Sequence, residues 1–318
     1  MGEIPGRKPE TGELPLSGRM ILVTAGVSGI GLEISRQILS LGGIPIVTTH
    51  SEKHYREIPT LLGNSAVPLF FDVTEPKQIQ EGLNKLPEKR VDITDTILCQ
   101  ADGIKVMPLL REVRNFSHEH PKTQLATLSP DERKPFYTGL RKKIADTQKD
   151  EKTALDVNYF GSINVLTGMM NQEAYRPRTF IYLSSLLSSL YGKIPTSAFY
   201  GNVAKSKHMM ETLLKSNGDI FDVLQIHPAI VSANLVPDTG TGSFLRLAAN
   251  YFPEEDLPDL TDLPKTPDVA HEIIRILLEN PASWKGVRTS YVISPHEIVN
   301  NLDMVDPHRL TELTKNPF

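Results

Sequence analysis

The stretch SAFYGNVAKSKHM, residues 197–209, puts one phenol and two ammonium groups close together in the chain. A Tyr and a Lys four residues apart on a helix share one face, where the two side chains could act together. At that spacing Tyr200 meets Ala204, and the nearby cations are Lys205 and Lys207. With about 100° per residue, a four-residue pair lies about 40° apart, but Tyr200 and Lys205 lie about 140° apart. Tyr200 and Lys207 share a face, separated by about 10 Å along the axis. An irregular turn or late helix start at Tyr200-Gly201-Asn202 would reconcile Tyr200 with Lys205, and Gly201 makes that turn inexpensive.

A second stretch points to a ligand. RMILVT runs straight into AGVSGIG and then into LEISRQIL. A glycine-rich turn between a strand and a helix lets the backbone approach a pyrophosphate, whose charge the exposed amides of the helix N-terminus offset.

Elements to hold these residues follow from the pattern along the chain. RMILVT (19–24), IPIVTT (44–49), VPLFFD (67–72), DTILCQ (95–100), RTFIYLS (178–184), FDVLQIH (221–227) and RTSYVIS (288–294) read as about seven strands. Helix-spaced apolar residues fill the intervals, in GLEISRQILSLG, EPKQIQEGLNKL, ALDVNYFGSINVLTGMM, SKHMMETLLKS and TPDVAHEIIRILLEN. Alternating strands and helices make βαβ units and an α/β fold with one doubly wound parallel sheet. Residues 1–17, polar and rich in Pro and Gly, read as a loose arm before a single domain over 18–318. Two stretches break the rhythm: a charged insert at about 105–146, read as a surface excursion or subunit contact, and a Gly- and Pro-hinged, lid-like segment at about 234–267.

Composition narrows the function. The 318 residues are 39% hydrophobic and 23% charged with a net charge of -4, so nothing favours nucleic acid or an anionic membrane as partner. No run reaches the roughly 18 apolar residues of a spanning helix. The single Cys99 excludes an internal disulfide and suits a reducing cytoplasm; its apolar surroundings mark a small buried residue. The SHEH stretch at 117–120 lacks convergent partners for a metal, and none is expected.

Several motifs in order resemble the short-chain dehydrogenase/reductase family from Leu16 to about Ser294. Thr24-Ala25-Gly26-Val27-Ser28-Gly29-Ile30-Gly31 is similar to its Thr-Gly-x-x-x-Gly-Ile-Gly turn, with Ala25 in place of the first Gly. FDVTEP resembles the Asp-Val step beside adenine and implies Asp72 and Val73. DVNYFGSINVL resembles the central helix and implies Asn158. FIYLSSLLSS resembles the strand end bearing the catalytic Ser, with Ser185 the better match and Ser184 its neighbour. HPAIV resembles the Pro-Gly segment, implying Pro228, with Ala229 in place of its Gly. Cys99-Gln100-Ala101-Asp102 stands where the family has Asn-Asn-Ala-Gly, leaving Ala101 beside the cofactor, and Ala233 stands where a Thr often holds the carboxamide.

The resemblance implies a Rossmann-type fold and an oxidoreductase that moves hydride between a nicotinamide and a carbonyl or alcohol of a small organic molecule. Tyr200 is then the proton donor, a Lys lowers its pKa and holds the nicotinamide ribose, Ser185 polarises the carbonyl, and Asn158 supports the relay. Reading SKHMMETL as the helix after the Lys selects Lys207; the short segment to Pro228 favours Lys205, the residue adopted here. The second strand ends Thr48-Thr49-His50-Ser51-Glu52-Lys53, where the family's NAD-binding members carry an acid. His50 and Ser51 therefore favour NADP over NAD. Two other readings remain open: a nonredox isomerase or lyase using the same Tyr and Ser, and a catalytically silent fold that binds a dinucleotide as a sensor or interaction module. Members of this family usually pair through the long helices, here about 150–171 and 203–216, so a homo-oligomer, at least a dimer, is expected.

Overall fold

Runs of apolar and β-branched residues become the strands of one sheet. A computed structural model describes residues 13–88, 92–102, 106–147, 151–172, 179–193, 200–218, 222–229, 231, 264–279 and 286–313. In it β1 (Met20–Val23) leads to α1 (Gly29–Ser40), β2 (Ile44–Thr49), α2 (Glu52–Leu62), β3 (Val67–Phe70), α3 (Pro76–Glu88) and β4 (Asp95–Leu98). The insert follows as α4 (Val106–Glu119), α5 (Lys122–Ala126) and α6 (Pro130–Thr147). A continuous helical stretch comes next: α7 (Glu151–Ala154), a π-helical segment (Leu155–Phe160) and α8 (Gly161–Met170). The second half holds β5 (Thr179–Leu183), α9 (Leu186–Ser189), α10 (Gly201–Ser216), β6 (Val223–Pro228), α11 (Thr266–Leu278), β7 (Val287–Ser294), β8 (Glu297–Val299) and α12 (Pro307–Leu313).

The sheet order is β3-β2-β1-β4-β5-β6-β7-β8. Strands β1 to β7 pair in parallel, whereas β8 returns antiparallel on β7. The sheet therefore has eight strands, one more than the sequence pattern suggests, because three residues are too few to carry a periodic signal. The order reverses between β1 and β4, and at such a switch the strand ends leave a crevice.

Both faces of the sheet are covered, so its strands are rich in apolar residues, and β4 and β5 are buried at every residue. On one side α1 and α11 pack Ile34, Ile38, Ile273 and Leu277 against Ile21, Ile97, Ile181 and Ile226. On the other, α3, α8 and α10 set Ile79, Leu83, Val165, Met169, Met210 and Leu214 against Leu22, Ile46, Leu98 and Tyr182. Leu16, in the stretch expected as a loose arm, is fully buried in the first layer, and its backbone N–H donates to the Leu41 carbonyl at 2.9 Å. At the sheet's N-terminal edge Arg19 makes two bonds to the buried Asp95 carboxylate, at 2.9 and 2.6 Å. In the insert His120 stacks edge-on between Phe116 and Phe136, with ring centroids 5.1 and 4.8 Å away. Most of the lid-like segment, 234–263, lies outside the described residues. Among those described, no helix is long and apolar enough to cross a membrane.

Candidate active site

The turn after β1 is built by backbone conformations few residues accept. Ala25 has φ +52° and Gly29 +51°, both in the left-handed region. Gly26 lies so close to β2 that a Cβ would come 2.8 Å from a Val47 methyl, and a Cβ on Gly31 would come 2.4 Å from the Ala25 carbonyl oxygen. These contacts lay α1 directly over the turn. The Ser28 side chain makes no cap bond, and the first turn of α1 has no acidic residue. Ser28, Gly29, Ile30 and Gly31 therefore present a helix N-terminus suited to an anion.

Thr24 closes the turn from below. Its hydroxyl accepts from the Cys99 N–H at 2.9 Å and donates to the Gln100 amide oxygen. The Gln100 amide nitrogen donates to Ser162 Oγ at 2.8 Å, and that hydroxyl donates to the Asn158 carbonyl at 2.8 Å. A buried polar chain thus braces β4 with Gln100, replacing the Asn expected there. Ala101 and Asp102 beyond it are exposed.

Asn158 sits in the π-helical segment, where the wider turn offsets its side chain from a regular helical register. It is 1% exposed and fully satisfied: Oδ1 accepts from Asp102 N–H at 2.9 Å, and Nδ2 donates to the Asp102 carbonyl at 2.9 Å and to Ser206 Oγ at 3.0 Å. The expected Asn therefore links the end of β4 to α10.

Two further loops line the strand ends. Asp72 accepts from both Thr74 groups at 2.8 Å, and the Val73 carbonyl accepts from Asn164 at 3.0 Å, so this step is pinned to α8. At the tip of β2, His50 is exposed, Ser51 caps α2 by accepting from His54 N–H at 3.4 Å, and Glu52 is engaged by Arg56 at 2.9 Å.

The sharpest geometry is at the start of α10. Tyr200 is the residue before the helix, and its carbonyl accepts from Ala204 N–H at 2.9 Å, so the helix starts in regular register. The Tyr200 hydroxyl bonds the Ser185 side chain. Burial pushes the phenol up to about 12, the Ser185 bond opposing the shift and the Glu211 charge adding to it. Ser185, 7% exposed, ends the strand stretch that begins at β5, while Pro228 is buried at the end of neighbouring β6.

The structure does not bring Lys205 to this pair. With no irregularity after Tyr200, Lys205 emerges at the surface, where its ammonium meets Glu151 at 2.6 Å and its side chain is 41% exposed. Lys207 turns inward instead. It is 3% exposed, donates to the Leu183 carbonyl at 2.6 Å, and is pushed down to about 8 by burial.

Beneath the site lies a polar layer that motif reading passes over: Ser184, Ser188, Glu211, Gln225 and His227 are all buried. Its only signal in the sequence is spacing, since Tyr200, Lys207 and Glu211 fall on one strip of α10 at about 100° per residue. Cys99 is the small buried residue expected, its thiol pushed up to about 12 by burial. Ala233 and residues 194–199 lie outside the described residues.

The model of the short chain dehydrogenase family matches residues 19–114. A probable NADP-dependent dehydrogenase of Haemophilus influenzae is 36% identical over 67 residues, 21% of this chain and 27% of that one, so the match spans about a quarter of the relative. Among solved structures, a short chain dehydrogenase from Burkholderia cenocepacia in complex with NADP superposes with a TM-score of 0.56 at 16% identity, over 87% of this chain and 97% of the other. A ribose-5-phosphate isomerase from Brucella melitensis gives 0.59 at 13% identity, over 87% and 91%. At these identities the likeness is one of fold.

Proposed function

We propose that this chain is a member of the short-chain dehydrogenase family, whose model matches residues 19–114, and an NADP(H)-dependent reductase of a carbonyl on a small organic molecule. The observation that carries the reading is the hydrogen-bonded Tyr200–Ser185 pair just beyond the C-terminal end of β5, two strands from β1 in the sheet. A phenol held up to about 12 stays protonated at neutral pH, as a proton donor for reduction must.

The chain's own residues divide the work. The turn from Thr24 to Gly31 would hold a pyrophosphate, supported by the close-packed Gly26 and Gly31 and the acid-free start of α1. Asp72, Val73, Ala101 and Pro228 would border the remainder of the cofactor. His50 and Ser51, with no acid at the tip of β2, suit a 2′-phosphate; the NADP-dependent relative and the NADP-bound neighbour support that choice over NAD. When bound, the nicotinamide supplies the hydride. Ser185 Oγ orients and polarises the carbonyl oxygen, and Tyr200 gives it a proton. Asn158 keeps the end of β4 against α10 behind them. The buried cation near the strand ends is Lys207; Lys205, the alternative, is engaged by Glu151. Phe160 and Met170, 50% and 57% exposed, offer apolar surface for pairing two copies through the long helix.

The test is NADPH oxidation over a panel of aldehydes and ketones, with wild type beside Tyr200→Phe and Ser185→Ala. Turnover should fall at least about 100-fold in Tyr200→Phe, with NADPH affinity held within about twofold. Full activity in Tyr200→Phe would overturn the assignment of the acid. Tight NADPH binding without turnover of any carbonyl would replace the reductase with a silent dinucleotide-binding fold.

A further inference from the structure

The strip of α10 that carries Tyr200 continues inward to Glu211, a carboxylate 1% exposed beneath the turn that presents Ser185. Ser184 donates to Glu211 Oε1. Ser188 Oγ lies between that same oxygen and the Ser185 carbonyl, 2.6 Å from the latter, and is 2.9 Å from Ser184 Oγ. His227 Nδ1 approaches the Ser185 carbonyl from β6 at 3.2 Å and Glu211 Oε1 at 3.6 Å. Gln225 Nε2 donates to the Glu211 carbonyl at 3.2 Å, tying the helix backbone to the same strand. One carboxylate oxygen therefore gathers both hydroxyls flanking Ser185 and faces the imidazole on its carbonyl. On the other side of that residue, its hydroxyl holds Tyr200.

We propose that Glu211 is a positioning residue that locks the Ser184–Ser188 turn to α10 and thereby sets the Ser185–Tyr200 pair. This rests on the reading of Tyr200 as the proton donor. Because Tyr200 is the residue that starts the helix carrying Glu211, its carbonyl held by Ala204, while Ser185 rides on the turn, the spacing to fix is between helix and turn, and Glu211 spans that gap. The carboxylate also raises the phenol of Tyr200, and it faces Lys207 on its own helix, Tyr182 on β5, His227 on β6 and Tyr291 on β7. The charged groups of α7 and the π-helical segment facing α10 are paired, Glu151 with Lys205 and Asp156 with Lys152.

The test is a double-mutant cycle on the whole chain, using Glu211→Ala, Glu211→Gln and Ser185→Ala. The first readout needs no turnover: the ¹³Cζ resonance of Tyr200, assigned by its loss in Tyr200→Phe, at neutral pH. Ser185→Ala should shift it in wild type and in Glu211→Gln, which keeps an acceptor oxygen for the hydroxyls, but not in Glu211→Ala, where the turn is already released. The second readout is kcat with NADPH and any carbonyl the wild type reduces. Glu211→Ala should cost about 100-fold in kcat with KM within about threefold, and little more when Ser185 is already Ala. Additive losses, or a Tyr200 resonance that responds to Ser185→Ala in all backgrounds, would overturn the proposal. If Glu211→Ala does not fold, Ser184→Ala with Ser188→Ala removes the same links and the cycle is read there. Absence of turnover in wild type would sink the reductase reading alone, since the resonance still decides the coupling.

Discussion

The Lys207 ammonium donates to the Leu183 carbonyl at 2.6 Å, inside the sheet–helix interface and two residues short of Ser185 along the chain. Burial holds this amine near 8, against 10.5 when free. Between those values the unfolded chain keeps a proton that the folded chain releases, so stability rises with pH over that window. By about pH 10 the gain is about 3 kcal/mol. Above it the trend reverses, because Tyr200 is held up to about 12 and unfolded tyrosines ionise first. Urea midpoints from pH 7 to 11 should pass through a maximum near pH 10, and Lys207→Met should flatten the rising limb. A flat wild-type profile would show that Lys207 is not charged and buried at neutral pH.

Lys205 and Lys207 should behave differently. Lys205 and Glu151 form an exposed pair that solvent screens. Lys205→Ala is expected to leave NADPH affinity and turnover within about twofold. Lys207→Ala removes a cation from beneath the strand ends and should lower turnover about tenfold or more. Titration calorimetry and steady-state rates decide this, and the opposite ranking would return the role to Lys205.

Ala25 holds a left-handed φ of +52°. An L-residue there costs about 1–2 kcal/mol, of which glycine, losing more chain entropy, recovers only part. Ala25→Gly should raise unfolding stability by about 1 kcal/mol in urea titrations and leave NADPH binding equal or tighter. A destabilised variant would mean that the alanine methyl makes contacts outweighing the backbone strain.

The tip of β2 offers a test of cofactor choice. His50 is exposed there, and Glu52 is occupied by Arg56. NADPH is expected to bind more tightly than NADH, and His50→Asp should reverse the order by repelling the 2′-phosphate. Calorimetric titration of both cofactors into both proteins measures it; equal affinities in wild type would remove the assignment.

The alternation of strands and helices and the turn from Thr24 to Gly31 were legible from residue type and spacing, because burial, backbone approach and helix entry are local demands, whereas Asn158 and Ser185 were implied only by the family resemblance. The long-range partners were not. Whether Lys205 or Lys207 faces inward depended on whether α10 starts regularly at Gly201, and the packing of α10 on β5 and β6 decided that. Gln100 reads as a misfit in the chain; only in the fold does it span Thr24 and Ser162 from opposite sides of β4. Glu211, His227 and Ser188 fall inside SKHMMETL, HPAIV and FIYLSSLLSS, but no motif gives them a role, and Glu211 and His227 meet their partners across 23 and 42 residues of chain. A sequence records which side chains can bond, but distances between strands and helices are set only when the chain has closed. That is why the sequence pointed to the fold and its family resemblance to the candidate proton donor, and the tertiary structure alone decided which lysine turns inward and which carboxylate is buried beneath Ser185.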